Sequence, residues 1–507
     1  FNCGDGLKPS TRVSPSYFVM MFQVNIVPLS GESRSFEVQQ SSKVGDLSLL
    51  ARESFGGFLQ LLTAEGRVLS DPNESLEAAG LRSGDHLTVV ALRANIAATA
   101  AAFALWCGGK KMVTWGHAVN GGDSSAIQDQ LRNLNVKQVQ ATRTAFAAIL
   151  EGGRVVAWGD PEYGGDCSAV RGQLRNVEQL QTSFGAFAAI LADGSVVTWG
   201  DPESGGDSTA VQTRLKNVRQ IHAPKDGGAF AAILADGSVV AWGDQEGGGD
   251  SSGSEDKLQN VEELQATAGA FAAIRRDGSL VTWGHPEFGG DISAVQDQLR
   301  NVQQIQATDS AFAAILANGS VVTWGDPCCG GDSSAVHDQL RNVEQIQATC
   351  EAFAAVLTDG SVVTWGHTPS GGDSSLVQHQ LKDVVQIQAS VDAFAAILAD
   401  GSVVSWGNAA HGGDSSNVQH QLRGVVQIQS TLRAFAAILA DGSVVTWGDP
   451  RCGGDSSAVQ DQLRHVEQIQ GTDYAFAAIL TDGLVVTWGP SHAGGDSSKV
   501  QDRLRCL

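Results

Sequence analysis

The chain has 507 residues, and its 33 Lys and Arg stand against 55 Asp and Glu, which gives a formal net charge of −22 at pH 7. This acidic balance argues against binding along a phosphate backbone, which requires a basic face, and favours solubility and basic partners. The hydrophobic fraction of 42% is sufficient for a packed core. No apolar stretch reaches the roughly 18 residues expected of a membrane span. We therefore expect neither a nucleic-acid nor a membrane partner.

The eight cysteines do not form a recognisable framework. No two of them make a C-x-x-C pair, and they fall at irregular places, at Cys3, Cys107, Cys167, Cys328, Cys329, Cys350, Cys452 and Cys506. A structural zinc or disulfide framework in a repetitive chain recurs with the repeat. We predict reduced thiols in a cytoplasmic or nuclear protein, with no metal and no cofactor.

Residues 1–15 are predicted to be a disordered N-terminal segment. The apolar run from Tyr17 to Leu29 follows two basic residues, so a signal peptide is an alternative interpretation. Phe22, Val24 and Ile26 alternate with polar residues, and this alternation favours a half-buried strand over a signal peptide.

Residues 16–93 do not repeat, and their pattern predicts a small α+β domain. We expect a helix capped by Ser42 and stopped at Gly56, with strands around it at 22–27, 35–39, 59–63, 68–69 and 87–92. This order resembles the ubiquitin-like β-grasp fold, most clearly over 59–69 and 76–90.

The resemblance implies a receptor patch at Leu29, Thr63 and Val90, which the central Thr would weaken. The chain continues beyond Arg93, so this domain is not a conjugated tag. Two interpretations stay open: a docking or folding module, and a ubiquitin mimic that recruits proteasomal or ligase machinery.

A Trp-Gly marker then recurs through residues 95–507. Seven of the nine spacings are 41 residues and two are 43, which predicts a repeat architecture. The markers are Trp115, Trp158, Trp199, Trp242, Trp283, Trp324, Trp365, Trp406, Trp447 and Trp488.

One repeat is predicted to contain three strands and a turn of helix. In the sixth copy we expect a half-buried strand at 302–308, a strand at 311–316 that is apolar on both faces, and a return strand at 320–324. Asn318-Gly319 is expected to make a two-residue hairpin turn with positive φ at both residues. Val336 and Leu340 are four residues apart and predict a helical turn.

The Trp-Gly strand ends, the Asp-Gly hairpins and the glycine-rich loops resemble the repeats of the regulator-of-chromosome-condensation family over residues 95–507. The resemblance implies a mainly β chain in which a β-propeller-like array of ten blade units of about 41 residues follows the ubiquitin-like β-grasp domain. Family members usually close with seven blades. A ten-unit ring, a seven-bladed ring with three extra units, and an open superhelix therefore stay open.

Residues that recur in every copy are interpreted as scaffold. The Trp series is predicted to pack between blades rather than to form an aromatic ligand platform. An Asp eight residues after each Trp is predicted to cap its own Asp-Ser-Ser turn, with calcium binding as the alternative. His117, His285, His367 and His492 lack the spacing of a metal-binding helix, so we assign them no catalytic role.

Variation between copies concentrates in two loops, the four residues before Gly-Gly-Asp and the pair before Ala-Phe-Ala-Ala. A constant scaffold with variable loops is typical of binding surfaces, and neutral drift at tolerant positions is the alternative. The candidate partner-binding residues are Asp160, Glu162, Tyr163, His285, Glu287, Phe288, Asp326, Cys328, Cys329, His367, His411, Arg451 and His492.

These patterns predict a non-catalytic protein-interaction scaffold. Its variable loops would bind a protein partner, with ubiquitin-pathway components as candidates, and its N-terminal domain would recruit other machinery. The family resemblance supplies two alternatives, a substrate-recognition component of a ubiquitin ligase pathway and a guanine-nucleotide exchange regulator of a small GTPase. The residues for nucleotide exchange cannot be matched onto these units.

Overall fold

The computed structural model describes residues 21–28, 33–39, 41–69, 71–108, 111–131, 135–224 and 226–505. The chain divides into two compact units, one ending at Leu92 and the other running from Arg93 to Arg505. The segment predicted to be disordered, the candidate patch residue Leu29, and Cys3 and Cys506 lie outside the described residues. No helix within the described ranges combines the length and apolarity needed to cross a membrane.

The first unit is a four-stranded mixed sheet packed against one helix. Its elements are β1 Met21–Pro28, β2 Arg34–Gln39, α1 Val44–Phe55, β3 Phe58–Leu62 and β4 His86–Leu92. The strand order is β2-β1-β4-β3, and the central pair β1 and β4 is parallel whereas both outer pairs are antiparallel. Val24, Ile26 and Leu47 are fully buried between sheet and helix, so the alternation in β1 is that of a half-buried strand.

The start of α1 differs from the prediction. The helix begins at Val44 with Lys43 as its N-cap, one residue after Ser42. The Asp46 carboxylate accepts the Lys43 backbone N–H at 2.9 Å, which is the contact that the third helical residue makes with the N-cap in a capping box. Val68 pairs with Leu62 as an isolated bridge rather than as part of a short strand.

In the second unit, ten three-stranded antiparallel sheets follow one another along the described residues, one for each repeat. The first strands are Ala94–Ala98, Val136–Ala141, Val177–Thr182, Val218–His222, Val261–Ala266, Val302–Ala307, Val343–Ala348, Val384–Ala389, Val425–Ser430 and Val466–Gly471. The second strands are Ala102–Cys107, Ala145–Leu150, Ala186–Leu191, Ala229–Leu234, Ala270–Arg275, Ala311–Leu316, Ala352–Leu357, Ala393–Leu398, Ala434–Leu439 and Phe476–Leu480. The third strands are Lys111–Gly116, Val155–Gly159, Val196–Gly200, Val239–Gly243, Leu280–Gly284, Val321–Gly325, Val362–Gly366, Val403–Gly407, Val444–Gly448 and Val485–Trp488.

Short helical turns connect the sheets. Two α-helical segments lie at Gln128–Leu131 and Gln501–Arg505. The loops after the third strands contain turns at Ala118–Gly122, Pro161–Gly165, Pro202–Gly206, Gln245–Gly249, Pro286–Phe288, Pro327–Cys329, Thr368–Ser370, Ala409–His411, Pro450–Cys452 and Ser491–Ala493. Further 3₁₀ turns lie at Ser125–Ile127, Ser168–Val170, Ser252–Ser254, Ser334–Val336, Gln460–Gln462 and Ser498–Val500.

The hydrophobic cores lie between consecutive repeats. In one of them, Ala270 and Ala272 of the fifth repeat pack against Phe312 and Trp324 of the sixth. The second strand, Ala311–Leu316, is buried on both faces because a neighbouring sheet covers each side. A single sheet therefore lacks a core of its own, and stacking of the repeats supplies it. These features define a mainly β, propeller-like array of three-stranded units.

A stacked Phe–Trp pair joins each sheet to the preceding repeat. The rings of Phe312 and Trp324 lie 5.1 Å apart at 19°, and Trp324 Nε1 donates a hydrogen bond to the Gly289 carbonyl at 3.0 Å. Gly289 has φ of +93°, and a Cβ added there would lie 2.6 Å from the Phe312 ring. The glycine is therefore required both by its backbone conformation and by the close approach of the ring.

The same bond also links the first repeat to the last. Trp115 Nε1 donates to the Gly494 carbonyl at 3.0 Å, and the Asp473 backbone N–H donates to the Ala100 carbonyl at 3.0 Å. Within the described residues, the ten Trp–Gly bonds thus form a continuous cycle.

The hairpin turns differ from the predicted type. Gly319 has φ of +77°, but Asn318 does not have a positive φ, and three residues rather than two separate the last paired positions Leu316 and Ser320. This geometry fits a type I turn followed by a left-handed glycine. The Asn318 side chain instead accepts the Ser320 backbone N–H at 3.0 Å, which favours Asn or Asp at this position.

Candidate functional site

The two variable loops of each repeat lie side by side. The first turn of each repeat connects the end of the first strand to the start of the second strand. The third strand runs antiparallel to the second, so it ends at the same end of the sheet, and the Gly-Gly loop follows it there. In the sixth repeat, Thr308 Oγ1 of the first turn donates to the carbonyl of Cys329 in the Gly-Gly loop at 3.1 Å. We call the surface formed by all first turns and Gly-Gly loops the loop face, and the surface at the opposite strand ends the hairpin face.

The bond between the two loops recurs in nine repeats of the described chain. The fourth repeat has Pro224 in place of the Thr or Ser. The donor and acceptor pairs are Thr99–Asn120, Thr142–Tyr163, Ser183–Ser204, Thr267–Phe288, Thr308–Cys329, Thr349–Ser370, Ser390–His411, Thr431–Cys452 and Thr472–Ala493. Positions that vary independently in sequence are therefore presented together on one surface.

The candidate aspartates hold the loops in shape. Asp160 accepts the Glu162 backbone N–H at 3.1 Å, and Asp326 accepts the Cys328 backbone N–H at 2.8 Å. Each carboxylate thus caps the first turn of its own Gly-Gly loop. Their side chains are engaged within the loop, so they position the neighbouring residues.

Exposed glutamates occupy one position of the Gly-Gly loop in four consecutive repeats. Glu162, Glu203, Glu246 and Glu287 occupy the same position in repeats two to five, and all four are exposed. We call these four residues the acidic arc. Sequence reasoning named Glu162 and Glu287 but missed Glu203 and Glu246, although both follow the same spacing of 41 or 43 residues.

The aromatic candidates are partly used in packing. The Tyr163 ring lies edge-on to Phe184 at 6.1 Å, and a Cβ on Gly185 would lie 2.7 Å from Tyr163. Phe288 is half-buried and packs edge-on against the His285 ring at 5.4 Å. These rings shape the loop face and leave part of their area to a partner.

A polar network joins repeats seven and eight on this face. His367 Nδ1 lies 2.8 Å from Glu351, and His411 Nδ1 lies 2.8 Å from Asp392. The Ser370 hydroxyl lies 3.0 Å from Glu351 and 2.8 Å from Asp392. One hydroxyl proton serves one carboxylate, so Ser370 donates either to Glu351 or to Asp392 and not to both at once.

This network does not have the geometry of a nucleophilic triad. Ser370 is only 2% exposed. Its hydroxyl lies 2.9 Å from His367 Nδ1, and the same nitrogen lies 2.8 Å from Glu351, whereas a triad uses one ring nitrogen for the hydroxyl and the other for the carboxylate. A triad requires an accessible hydroxyl whose proton is taken by a histidine that a carboxylate orients. Sequence reasoning had named His367 and His411 as loop residues, but their carboxylate partners come from first turns 16 and 19 residues away.

The remaining candidates differ in accessibility. Arg451 forms an ion pair with Asp449 at 2.9 Å while its own side chain stays 83% exposed. His492 and Cys328 are also exposed, whereas Cys329 is buried. Burial, followed by the nearby Asp326 carboxylate, raises the pKa of the Cys329 thiol to about 12. That thiol is neutral at physiological pH and is a weak nucleophile.

The aspartates that follow the Gly-Gly pairs are turn caps, as predicted. Asp332 accepts the Ser334 backbone N–H at 2.8 Å, and the corresponding bond is present in each repeat. This hydrogen bond lowers the pKa of the Asp332 carboxyl. Among the described residues, no three His, Cys, Asp or Glu side chains are grouped so as to hold a metal ion.

A central cavity of about 580 Å³ opens between the repeats and is lined by residues of all ten. At nine of the ten first turns, one backbone N–H donates to the carbonyl of its counterpart in the next repeat, for example Asp309 to Cys350 at 2.9 Å. The donors are Ala100, Arg143, Phe184, Ala268, Asp309, Cys350, Val391, Leu432 and Asp473.

No family model and no curated protein sequence matches the chain. Solved structures similar to the chain include Prp20p from Saccharomyces cerevisiae, described with its binding to Gsp1p and histones (17% identity, TM-score 0.31, 55% of this chain and 81% of that one). Human WBSCR16 is 15% identical, with a TM-score of 0.31 over 62% of this chain and 92% of that one. The designed protein Ika8 is 16% identical, with a TM-score of 0.29 over 62% of this chain and 96% of that one. At these scores, no residue role or activity is transferred to this chain.

Proposed function

We propose that this chain is a non-catalytic scaffold that binds a protein partner through its loop face. The supporting observation is the pairing of the two variable loops, which places the residues that differ between repeats on one surface of a constant framework. Rigid frameworks with variable loops are a common way to build binding surfaces. The proposal also covers the cytoplasmic or nuclear location expected from the cysteine pattern.

The acidic arc indicates the chemistry of the partner. Four exposed carboxylates in consecutive repeats create a negative potential that attracts a basic protein surface and speeds its association. Arg451 and His492 lie in repeats nine and ten, away from the arc along the cycle. A partner with a basic patch therefore docks in a preferred orientation.

A charge-reversal experiment tests this proposal. One full-length variant carries Glu→Lys at the acidic arc. A matched variant carries Glu→Lys at four exposed glutamates of the hairpin face, Glu178, Glu262, Glu344 and Glu467. Both have the same net charge, and crosslinking captures followed by mass spectrometry compare their partners.

We expect the arc variant to lose a basic protein that the matched variant retains. For that protein, the affinity should fall at least about tenfold, with a weaker salt dependence. Equal loss in both variants would mean a nonspecific charge effect. If the arc variant captures every protein as well as the unaltered chain does, the proposal is wrong.

We further propose that the first unit is a ubiquitin-like module that recruits other machinery. The support is its strand order, with parallel central strands and one helix after the first hairpin. Of the candidate patch, Thr63 is buried and its hydroxyl accepts the Arg67 backbone N–H at 3.2 Å, while Val90 is half-buried. Binding of the full chain to purified ubiquitin receptors, compared with a Val90→Lys variant, tests this role. Equal binding by both, or no binding, would contradict it.

The two alternatives implied by the resemblance, ligase substrate recognition and nucleotide exchange on a small GTPase, are not favoured by any specific feature of the described residues. Both predict a protein partner on the array, so the same capture experiment would reveal them by the identity of that partner.

A further inference from the structure

A second cavity, of about 610 Å³, lies at the hairpin end of the fourth sheet. It is lined by the hairpin of that sheet, within 234–240, and by the chain segments before and after the sheet, at 214–217 and 255–259. The third strand, Val239–Gly243, is an edge strand of its sheet. We call this space the edge cavity, and its volume falls within the range of about 300 to 1,000 Å³ typical of small-ligand sites.

In five other repeats, a glutamine covers the start of the third strand. In repeat three, Gln212 Nε2 donates to the carbonyl of Val196, the first residue of that strand, at 2.9 Å, and Gln212 Oε1 accepts the Ser208 hydroxyl at 2.9 Å. The glutamine thus provides a donor at a strand edge that has no neighbouring strand. The other four pairs are Gln378–Val362, Gln419–Val403, Gln460–Val444 and Gln501–Val485.

Repeat four lacks this glutamine. Glu255 occupies the position, and it forms an ion pair with Arg214 at 2.7 Å instead. Among the described residues, no side chain donates to the Val239 carbonyl. The residue before Glu255 also differs, because Ser254 stands where Val211 packs against the core in repeat three. The space that a glutamine fills elsewhere is therefore open in repeat four.

The charged residues that line the edge cavity are Arg214, Lys216, Asp236 and Glu255. Both carboxylates are engaged, since Glu255 pairs with Arg214 at 2.7 Å and Asp236 accepts the Ser238 backbone N–H at 2.9 Å. The exposed Lys216 side chain makes no hydrogen bond or ion pair with any described residue. The cavity thus offers one free ammonium group and one carbonyl without its usual donor.

We propose that the edge cavity binds an N-acylated apolar amino acid. Its carboxylate pairs with Lys216, and its N–H donates to the Val239 carbonyl in place of the missing glutamine. Its apolar side chain covers Leu234 and Leu258, which line the cavity. Hydrogen bonding to the edge of a sheet and capture of a terminal carboxylate are both recurring ways to bind a peptide end.

Two sources offer this chemistry, a free acylated amino acid and the C-terminal residue of a protein chain. The edge cavity lies on the hairpin face, and its test uses small probes alone. Its outcome therefore does not depend on the function proposed for the loop face.

Calorimetric titration of the full chain with N-acetyl-leucine tests the site. N-acetyl-leucinamide lacks the carboxylate, and isocaproate lacks the N–H. A second arm uses an acetylated alanine peptide that ends in leucine, with its C-terminal amide as control. We expect saturable binding of N-acetyl-leucine, of the acid peptide, or of both, weaker binding of isocaproate, and no binding of the amides. Binding of N-acetyl-leucine alone assigns a small-molecule ligand, and binding of the peptide alone assigns a protein C-terminus.

Lys216→Met should weaken binding about tenfold by removing the charge partner. Lys382→Met is the matched control, because Lys382 has the same position beside the eighth sheet, where Gln419 donates to the Val403 carbonyl at 2.8 Å. That variant should leave the affinity unchanged.

Two substitutions of Glu255 separate the open space from its charge. Glu255→Gln restores the amide found in other repeats and should abolish binding, although the loss of a negative charge by itself favours an anion. Glu255→Ala loses the same charge without supplying an amide, so it should retain binding.

Circular dichroism verifies that each variant is folded. The proposal is overturned if neither acid probe binds, or if an amide control binds as tightly as its acid. It is also overturned if Lys216→Met has no more effect than Lys382→Met, or if Glu255→Gln binds as tightly as Glu255→Ala.

Discussion

Trp115 donates a hydrogen bond from its indole nitrogen to the carbonyl of Gly494, although 379 residues separate them. The same bond joins Trp324 to Gly289 inside the array. The interface between the last and first repeats thus has the geometry of the internal ones, and we propose that the array closes into a ring of ten repeats in solution.

Closure makes a prediction for Gly494. A Cβ at Gly494 would lie 2.7 Å from the Phe103 ring, and one at Gly330 would lie 2.6 Å from Phe353. Gly494→Ala and Gly330→Ala should therefore destabilise the array by a similar amount, about 2 to 4 kcal/mol from overpacking and backbone strain. Urea unfolding of both variants measures the effect. In an open array Phe103 would have no partner repeat, and Gly494→Ala would cost much less than Gly330→Ala.

The capping aspartates predict acid sensitivity. Hydrogen bonds from the residue two positions on lower the pKa of the carboxyls in nine repeats, Asp123, Asp207, Asp250, Asp291, Asp332, Asp373, Asp414, Asp455 and Asp496. Their stabilisation is complete above the unfolded pKa of about 3.9 and is lost as the pH falls through the lower folded values. As far as these groups contribute, the urea concentration at the unfolding midpoint should change little between about pH 7 and pH 5. It should decrease when the pH is lowered below about 4.

Two substitutions of Asp332 distinguish the contribution of its capping hydrogen bond from that of its charge. Asp332→Ala should lower the stability at neutral pH by about 1 kcal/mol, because the Ser334 backbone N–H loses its acceptor. Asp332→Asn keeps an acceptor and should retain more of that stability, with a slightly smaller loss in acid. If Asp332→Ala leaves the urea midpoint unchanged at pH 7, the capping role is wrong.

Adjacent cysteines should differ in reactivity. Cys328 is exposed, whereas Cys329 is 8% exposed and its pKa is raised to about 12. Iodoacetamide at about pH 8 should therefore modify Cys328 and leave Cys329 unmodified until the chain unfolds, because the thiolate is the reactive form. Peptide mass mapping measures both, and Cys328→Ser is the control. Similar rates at the two thiols would contradict the buried position of Cys329.

Asparagines with a positive φ precede the first strand of several repeats, and a glycine at the same position of another repeat provides a control. Asn342 has φ of +58°, and the ninth repeat has Gly424 with φ of +64° at the same position. Asn342→Gly should therefore be nearly neutral, whereas Asn342→Val should cost about 1 to 2 kcal/mol because a β-branched residue disfavours this conformation. Thermal unfolding compares the two. Equal stability would show that the backbone relaxes at this turn.

Local sequence patterns predicted most of the secondary structure. Alternation at Val24 and Ile26, the apolar run from Ala311, and the Asp-Ser-Ser turn at Asp332 each depend on neighbours within a few residues, and all three predictions agree with the structure. The hairpin at Asn318 was predicted with the wrong turn type, because Asn-Gly is compatible with more than one loop length.

The sequence by itself determined the number and the kind of repeats, the residues that are constant in all of them, and the two loops in which the repeats differ. Only the tertiary structure decided that Thr308 binds the loop of Cys329, that Asp392 meets both Ser370 and His411, and that Trp115 reaches Gly494. These pairs are 19 to 379 residues apart, and no local pattern encodes their distance. They come together because each sheet buries its apolar faces against its neighbours, and that packing carries the loops onto one face.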